Sequence, residues 1–280
     1  MQTLKQFSCE FFPPRTAESQ QKLYQTVEAL QKFNPEYLSV TFGAGGSTKE
    51  KTFDTVVELQ KRTGIKVAPH FSCIAASRDE LQQILLDYQQ QGIHKIVALR
   101  GDQPSGIGRA DAGDFRYANE LVEFIRQQTG NHFDITVAAY PETHPEAVNA
   151  QQDLLNFKRK VDAGANSAIT QYFYNVDAYF DFVERSQAIG VDVPIIAGIM
   201  PISNYQQLAR FSQTCGAELP RWLHRRLASF AEDDKASLQS FGVDFISHLC
   251  QRLLDNGAPS LHFYTLNQAG LVSRIINNLT

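Results

Sequence analysis

Along this chain, short runs rich in Val, Ile, Phe and Ala alternate with longer stretches whose apolar residues recur every three or four positions. The short runs predict eight β-strands: Gln6–Phe11, Tyr37–Thr41, Lys66–His70, Lys95–Leu99, Asp134–Tyr140, Ser167–Gln171, Val193–Ile199 and Ser260–Leu266. Several are apolar almost throughout, as suits parallel strands buried on both faces. The longer stretches predict helices. Leu23, Val27 and Leu30 share one helical face, and so do Leu81, Ile84, Leu85 and Tyr88. Most strands start roughly 30 residues apart, the size of a βαβ unit. The seventh and eighth are farther apart, and Tyr205–Gln213, Arg221–Phe230 and Lys235–Leu254 read as three helices between them. Pro220 suits a helix start, and Asp233 or Asp234 suits a cap for the third. No linker rich in Gly, Ser or Pro flanks this insertion and no internal repeat is evident, so residues 1–280 read as one domain.

Alternating βα units build either a closed barrel or an open doubly wound sheet. The open dinucleotide-binding fold asks for G-x-G-x-x-G after the first strand. Here that strand runs into Glu10–Arg15, EFFPPR, whose prolines cannot form such a loop. The strand count also favours the barrel, so the fold class is α/β, a (β/α)8 barrel with extra helices between strands seven and eight.

Composition narrows the class without naming a reaction. A hydrophobic content of 43% suits a globular chain with a sizeable core. The net charge of −4 offers no basic footprint, so nucleic acid is not an expected partner. No apolar run is long enough to cross a bilayer, and the first residues lack a signal-peptide core, so a cytoplasmic protein without a membrane partner is expected. Cys9, Cys73, Cys215 and Cys250 are scattered and read as reduced thiols.

Barrel chemistry sits at the C-terminal ends of the strands. Those ends carry Glu10, Thr41, His70, Arg100 with Asp102, Tyr140 with Glu142, and Gln171, so six consecutive strands deliver polar groups to one rim. Taken alone, Glu10 reads more readily as a rim carboxylate in an ion pair and His70 as a hydrogen-bonded rim histidine; barrel stability does not ask for all of these groups together. No lysine ends a strand, which argues against Schiff-base chemistry. No H-x-H stands on strand one and no compact His/Asp cluster is present, so no metal is expected. The glycine-rich stretches Gly43–Ser47 and Gly101–Arg109 follow strands two and four, where backbone can approach a phosphate or flat ring. In the fifth helix Asp153, Asn156 and Lys160 share one face, either a solvated face or a diphosphate or ribose contact.

Nine motifs then resemble those of one family. EFFPPR, SVTFGA (Ser39–Ala44), APHFSCI (Ala68–Ile74), ALRGD (Ala98–Asp102), AAYPETHPEA (Ala138–Ala147), DLLNFKRKVDAGAN (Asp153–Asn166), ITQYFYN (Ile169–Asn175), GIMPISN (Gly198–Asn204) and HFYTLN (His262–Asn267) are similar, in order, to the bacterial methylenetetrahydrofolate reductases. The resemblance spans nearly the whole chain and corresponds to the catalytic domain only. It implies FAD as cofactor, NADH or NADPH as reductant, and a ping-pong reduction of 5,10-methylenetetrahydrofolate to 5-methyltetrahydrofolate that supplies methyl groups for methionine synthesis. It also implies a homo-oligomer, a tetramer or a dimer. By the same resemblance Glu10 and Asp102 are catalytic, Glu10 as the general acid and Asp102 as the anion favouring a cationic iminium. Thr41, His70, Arg100, Gly101, Asp102, Tyr117, Ala118, Ala138, Tyr140, His144, Asp153, Asn156, Arg159 and Lys160 match flavin-contacting positions. Glu10, Asp102, Gln171, Gln207, Phe211 and Gln268 match substrate positions. Gln268 stands where the family usually has arginine, which removes a fixed charge and planar fork from the folate-tail end of the site. Phe11, Phe12 and a nearby Asp102 are expected to raise the Glu10 pKa. Another flavin barrel, such as a proline dehydrogenase-like enzyme, and a barrel without catalytic activity are the alternatives.

Overall fold

The computed structural model describes residues 6–42, 46–101, 113–231 and 233–279. Its strands are β1 (Phe7–Phe11), β2 (Tyr37–Val40), β3 (Lys66–Ser72), β4 (Lys95–Leu99), β5 (Asp134–Ala139), β6 (Ser167–Thr170), β7 (Ile195–Ile199) and β8 (Leu261–Tyr264). They close in sequence order into a parallel barrel, with β1 pairing both β2 and β8. The outer ring is α1 (Ala17–Gln31), α2 (Gly46–Thr63), α3 (Arg78–Gln90), α4 (Ala118–Thr129), α5 (Ala150–Asp162), α6 (Val176–Ala188) and α10 (Ala269–Leu279). Between β7 and β8 come α7 (Tyr205–Cys215), α8 (Arg221–Ala228) and α9 (Lys235–Asp255), the three helices the sequence predicts. Pro220 precedes α8, and the Asp234 side chain caps α9 by accepting from the Ser237 N–H.

The strand ends differ from the sequence expectation by one or two residues, for local reasons. β7 starts at Ile195 because Pro194 has no N–H to give a ladder. β8 stops at Tyr264 because Thr265 turns inward to bond the Glu10 carbonyl through Oγ1 at 2.6 Å. Leu266 and Asn267 then adopt left-handed φ values of 50° and 54°. Such a turn costs roughly 1–2 kcal/mol per residue without compensation. Here Asn267 compensates: its side chain accepts from the Phe12 N–H at 2.9 Å and donates to the Phe12 carbonyl at 3.0 Å, stitching the exits of β1 and β8 together.

The strands' alternation makes two cores. The larger lies between barrel and helices, with Phe11, Leu23, Val56, Leu81, Leu121 and Phe263 among its buried members. The smaller is inside the barrel, where Tyr37, Ala68, Val97, Ile169 and Ile196 form one layer. That layer is the floor on which the polar rim stands.

Candidate functional site

Alternate residues on β1 face the barrel interior, so Ser8 and Glu10 point inward while the buried Phe7, Cys9 and Phe11 belong to the outer core. Glu10 meets two imidazoles there. Its Oε2 lies 3.2 Å from His70 Nε2 on β3 and 3.5 Å from His262 Nε2 on β8. Neither Nε2 has another partner, and neither contact is aligned as a hydrogen bond. His262 is fully buried, and its Nδ1 is 2.6 Å from Ser8 Oγ. A carboxylate beside Nε2 selects the tautomer protonated there, so Nδ1 accepts and Ser8 donates.

This arrangement reverses the expected Glu10 shift. Burial alone raises the pKa, but the nearby charge of His70 and the close polar contacts of both imidazoles outweigh it and hold the carboxyl well below its usual range. Burial favours neutral His262, against the pull of Glu10. The phenylalanines supply no low-polarity pocket: Phe11 packs in the outer core and Phe12 is 43% exposed. Asp102, the other expected catalytic carboxylate, lies outside the described residues, as do Gly43–Gly45 and the rest of the loop after Gly101.

A second cluster occupies the exits of β4 and β5 and the adjoining face of α5. Lys160 Nζ donates to the Ala138 carbonyl at 2.6 Å, and burial lowers its pKa to about 8 against the opposing charge of Asp153. Asp153 Oδ2 accepts the His144 N–H at 2.8 Å. Burial also lowers the His144 pKa, although Asp153 and Glu146 oppose it. The His144 ring stands edge-on to Tyr140 at 4.5 Å. Arg100 Nη1 pairs with Glu146 at 2.7 Å, and Arg159 Nη1 donates to Asn156 Oδ1 at 2.8 Å. The face expected from the spacing of Asp153, Asn156 and Lys160 therefore forms, and it carries cations beside a backbone carbonyl.

The remaining expected residues stand on separate elements, outside these two clusters. Thr41 and Gly101 end β2 and β4, both half-buried. Tyr117, 60% exposed, caps α4 immediately before Ala118. Gln171 ends β6, and its side-chain oxygen accepts the Tyr172 N–H at 3.0 Å. Gln207 and Phe211 lie one turn apart on α7, and Phe211 is 40% exposed, so its ring is not a core residue. Gln268 is exposed in the turn after β8.

His262 and Ser8 are the interior groups that sequence reasoning missed. The signal was present: Ser8 is two residues before Glu10, and His262 is two before Tyr264, so each faces the barrel interior by strand alternation. Among the described residues no group of three or more metal-binding side chains forms, no helix is long and apolar enough to cross a membrane, and all four cysteines are free.

Comparison with known proteins bears on family and fold. Residues 2–280 match the family model for methylenetetrahydrofolate reductase. The chain is 42% identical over 272 residues to the 5,10-methylenetetrahydrofolate reductase of Escherichia coli, covering 97% of this chain and 90% of that one. It is 36% identical over 284 residues to methylenetetrahydrofolate reductase (NADH) 1 of Arabidopsis thaliana, covering 98% of this chain but 48% of the longer plant protein. Among solved structures, an uncharacterized Clostridium thermocellum protein that binds two copies of 5-methyl-5,6,7,8-tetrahydrofolic acid shares the fold, with a TM-score of 0.65 at 18% identity. That alignment covers 99% of this chain and 94% of the other.

Proposed function

The chain belongs to the methylenetetrahydrofolate reductase family, and from that premise we propose that it is one catalytic domain using FAD and either NADH or NADPH in a ping-pong cycle, in the cytoplasm, as a homo-oligomer. Its product, 5-methyltetrahydrofolate, supplies methyl groups for methionine synthesis. The observation that carries this reading is Glu10 at the barrel mouth, held between His70 and His262 and facing a rim whose β4–β5–α5 side is lined by cations.

The rim suits a flavin dinucleotide. Lys160 is a buried cation whose charged form a diphosphate would favour, and Arg100 and Arg159 widen the positive edge. At Gly101 φ is +90° and an added Cβ would come within 2.7 Å of Ile74 Cγ2, so only glycine lets the chain turn against Ser72 and Ile74 directly after Arg100. Thr41, His70, Tyr117, Ala118, Ala138, Tyr140, His144, Asp153 and Asn156 complete the proposed flavin contacts. When bound, the flavin supplies hydride transfer, from the nicotinamide to the folate. The protein's own groups do the rest. Gln171, Gln207 and Phe211 orient the folate or the nicotinamide in turn, the Phe211 ring packing against a flat partner. The Glu10–imidazole cluster delivers the proton that opens the folate's five-membered ring, and Asp102 favours the resulting cation.

Two outcomes follow. The purified chain is expected to be yellow, or to become yellow on reconstitution, and to release FAD rather than FMN on denaturation, because FMN leaves the α5 cations without an adenylate-side partner. Chromatography of the released flavin checks this, and FMN alone, or no flavin after reconstitution, overturns the cofactor assignment. Bleaching of the flavin by each nicotinamide nucleotide fixes the reductant.

Gln268→Arg is expected to tighten the apparent affinity for methylenetetrahydrofolate by up to about fivefold, since an exposed cation near glutamyl carboxylates contributes no more than about 1 kcal/mol. Flavin reduction by nicotinamide should not change. Equal effects on both half-reactions would remove Gln268 from the folate tail.

A further inference from the structure

We propose that Glu142 is a positioning residue, a strut that holds α7, and with it Gln207 and Phe211, against the flavin-side loop at the barrel mouth. The proposal rests on the folate and flavin reading for what α7 grips, but the strut itself rests on contacts alone. Glu142 follows β5 in the loop that also carries Tyr140 and His144. Its Oε2 accepts the Glu218 N–H at 2.7 Å, across 76 positions of sequence, in the segment that leaves α7. Its Oε1 is buried and has no partner. Beside it the same two segments touch again. Gly216 caps α7 at φ +75°, and an added Cβ there would come within 2.6 Å of Pro145 Cγ. A third tie comes from the exit of β6, where Tyr172 Oη lies 3.1 Å from Ser212 Oγ and accepts from Cys215 Sγ at 3.4 Å. The C-terminal end of α7 is thus tied to the β5 and β6 exits, and Gln207 and Phe211 lie on the same helix.

An orphaned buried oxygen has a consequence. Burial, reinforced by the neighbouring charge of Glu218 and only partly opposed by the Glu218 N–H, raises the Glu142 pKa to about 7. Among the described residues the titratable groups that interact with it are Glu218, Tyr172 and Tyr174, with Cys215 beside Tyr172, and none of these is a cation. The protonated acid is therefore the form that fits. With α7 docked the carboxyl titrates near 7, and with α7 lifted into water it returns toward its ordinary 4.5. A raised docked-state pKa means that docking is strongest below about 4.5, weakens as pH climbs, and stops weakening above about 7. Within that window the docking equilibrium falls by roughly tenfold per pH unit for one proton.

The test is hydrogen exchange of the purified full chain, read at the amides of residues 206–218 and corrected for intrinsic exchange. In the wild type, protection of this segment should fall by about tenfold between pH 5 and 6 and flatten above about pH 7. Glu142→Gln keeps an acceptor for the Glu218 N–H and mimics the protonated acid, so its corrected protection should be high and independent of pH. Glu142→Ala should lose protection at every pH. In the flavin-loaded enzyme, loosening should appear as a raised folate KM with kcat at saturation within about threefold, and Glu142→Gln should lower KM above pH 7. If Glu142→Gln keeps the wild-type pH dependence, or Glu142→Ala leaves the protection unchanged, Glu142 is not the strut. A wild-type chain with no folate turnover would instead overturn the functional reading, and the exchange data would still decide the strut.

Discussion

Replacing Glu10 by glutamine is expected to slow methylenetetrahydrofolate reduction by about 10²–10⁴-fold, the usual loss when a general acid is removed. Reduction of the proposed flavin by the proposed reductant, NADH or NADPH, needs no such proton and should stay within a few-fold. The change keeps side-chain volume and leaves an amide beside His70 and His262, but the amide cannot carry a proton between them and the folate. The structure alters how the acid must work. The two imidazoles favour the ionised form of Glu10, so in the proposed reaction the proton to be delivered belongs to the Glu10–His70–His262 cluster as a whole. The pH dependence of the folate step should accordingly report the cluster and shift when either imidazole is removed, rather than follow an isolated carboxylic acid. Rapid mixing with flavin absorbance follows each half-reaction alone. Reoxidation of the Glu10→Gln enzyme by methylenetetrahydrofolate at near wild-type rate would mean that the proton comes from elsewhere.

The barrel was legible because its code is periodic. Apolar strand runs recur at βαβ spacing, and each marks a place where both faces of a parallel strand are buried, so all eight strands and the three inserted helices were readable. Strand ends were less legible because they are set by contacts across the sequence, as where Thr265 bonds the Glu10 carbonyl and Asn267 bonds Phe12. The rim residues were readable as positions, but not their electrostatics. Nothing near Glu10 in sequence announces His70, 60 residues on, or His262, which closes the barrel from the far end of the chain. The expectation built on Phe11, Phe12 and the charge of Asp102 therefore has the wrong sign for the Glu10 shift. The α5 face was legible because Asp153, Asn156 and Lys160 are set three and four apart on one helix, and a local rule suffices there.

Gly101→Ala is expected to strip the protein of most of its flavin and to lower its thermal midpoint by about 5–15 °C. Two costs add. An alanine at φ +90° pays roughly 1–2 kcal/mol for its backbone alone. Its Cβ would also be driven into Ser72 Oγ and to 2.7 Å from Ile74 Cγ2, and overpacking of that kind costs about 1–3 kcal/mol. Those neighbours cannot simply give way: Ser72 Oγ donates to the Arg100 carbonyl at 2.8 Å, and the Ile74 N–H donates to the same oxygen at 3.0 Å. Relief must then move the chain at Arg100, whose guanidinium pairs with Glu146, and the Glu146 N–H in turn bonds His144 Nδ1 at 3.0 Å. The strain thus runs directly into the proposed flavin rim, and the loss of each 1.4 kcal/mol there weakens binding tenfold. Gly92 supplies the control. It also has a positive φ, +68°, but an added Cβ meets nothing within 4 Å. Gly92→Ala should therefore pay only the backbone cost and keep its flavin. Flavin content after desalting and the melting midpoint, measured for both variants, decide the matter. If the two alanines behave alike, the packing of Gly101 against Ser72 and Ile74 is not what shapes the proposed flavin rim.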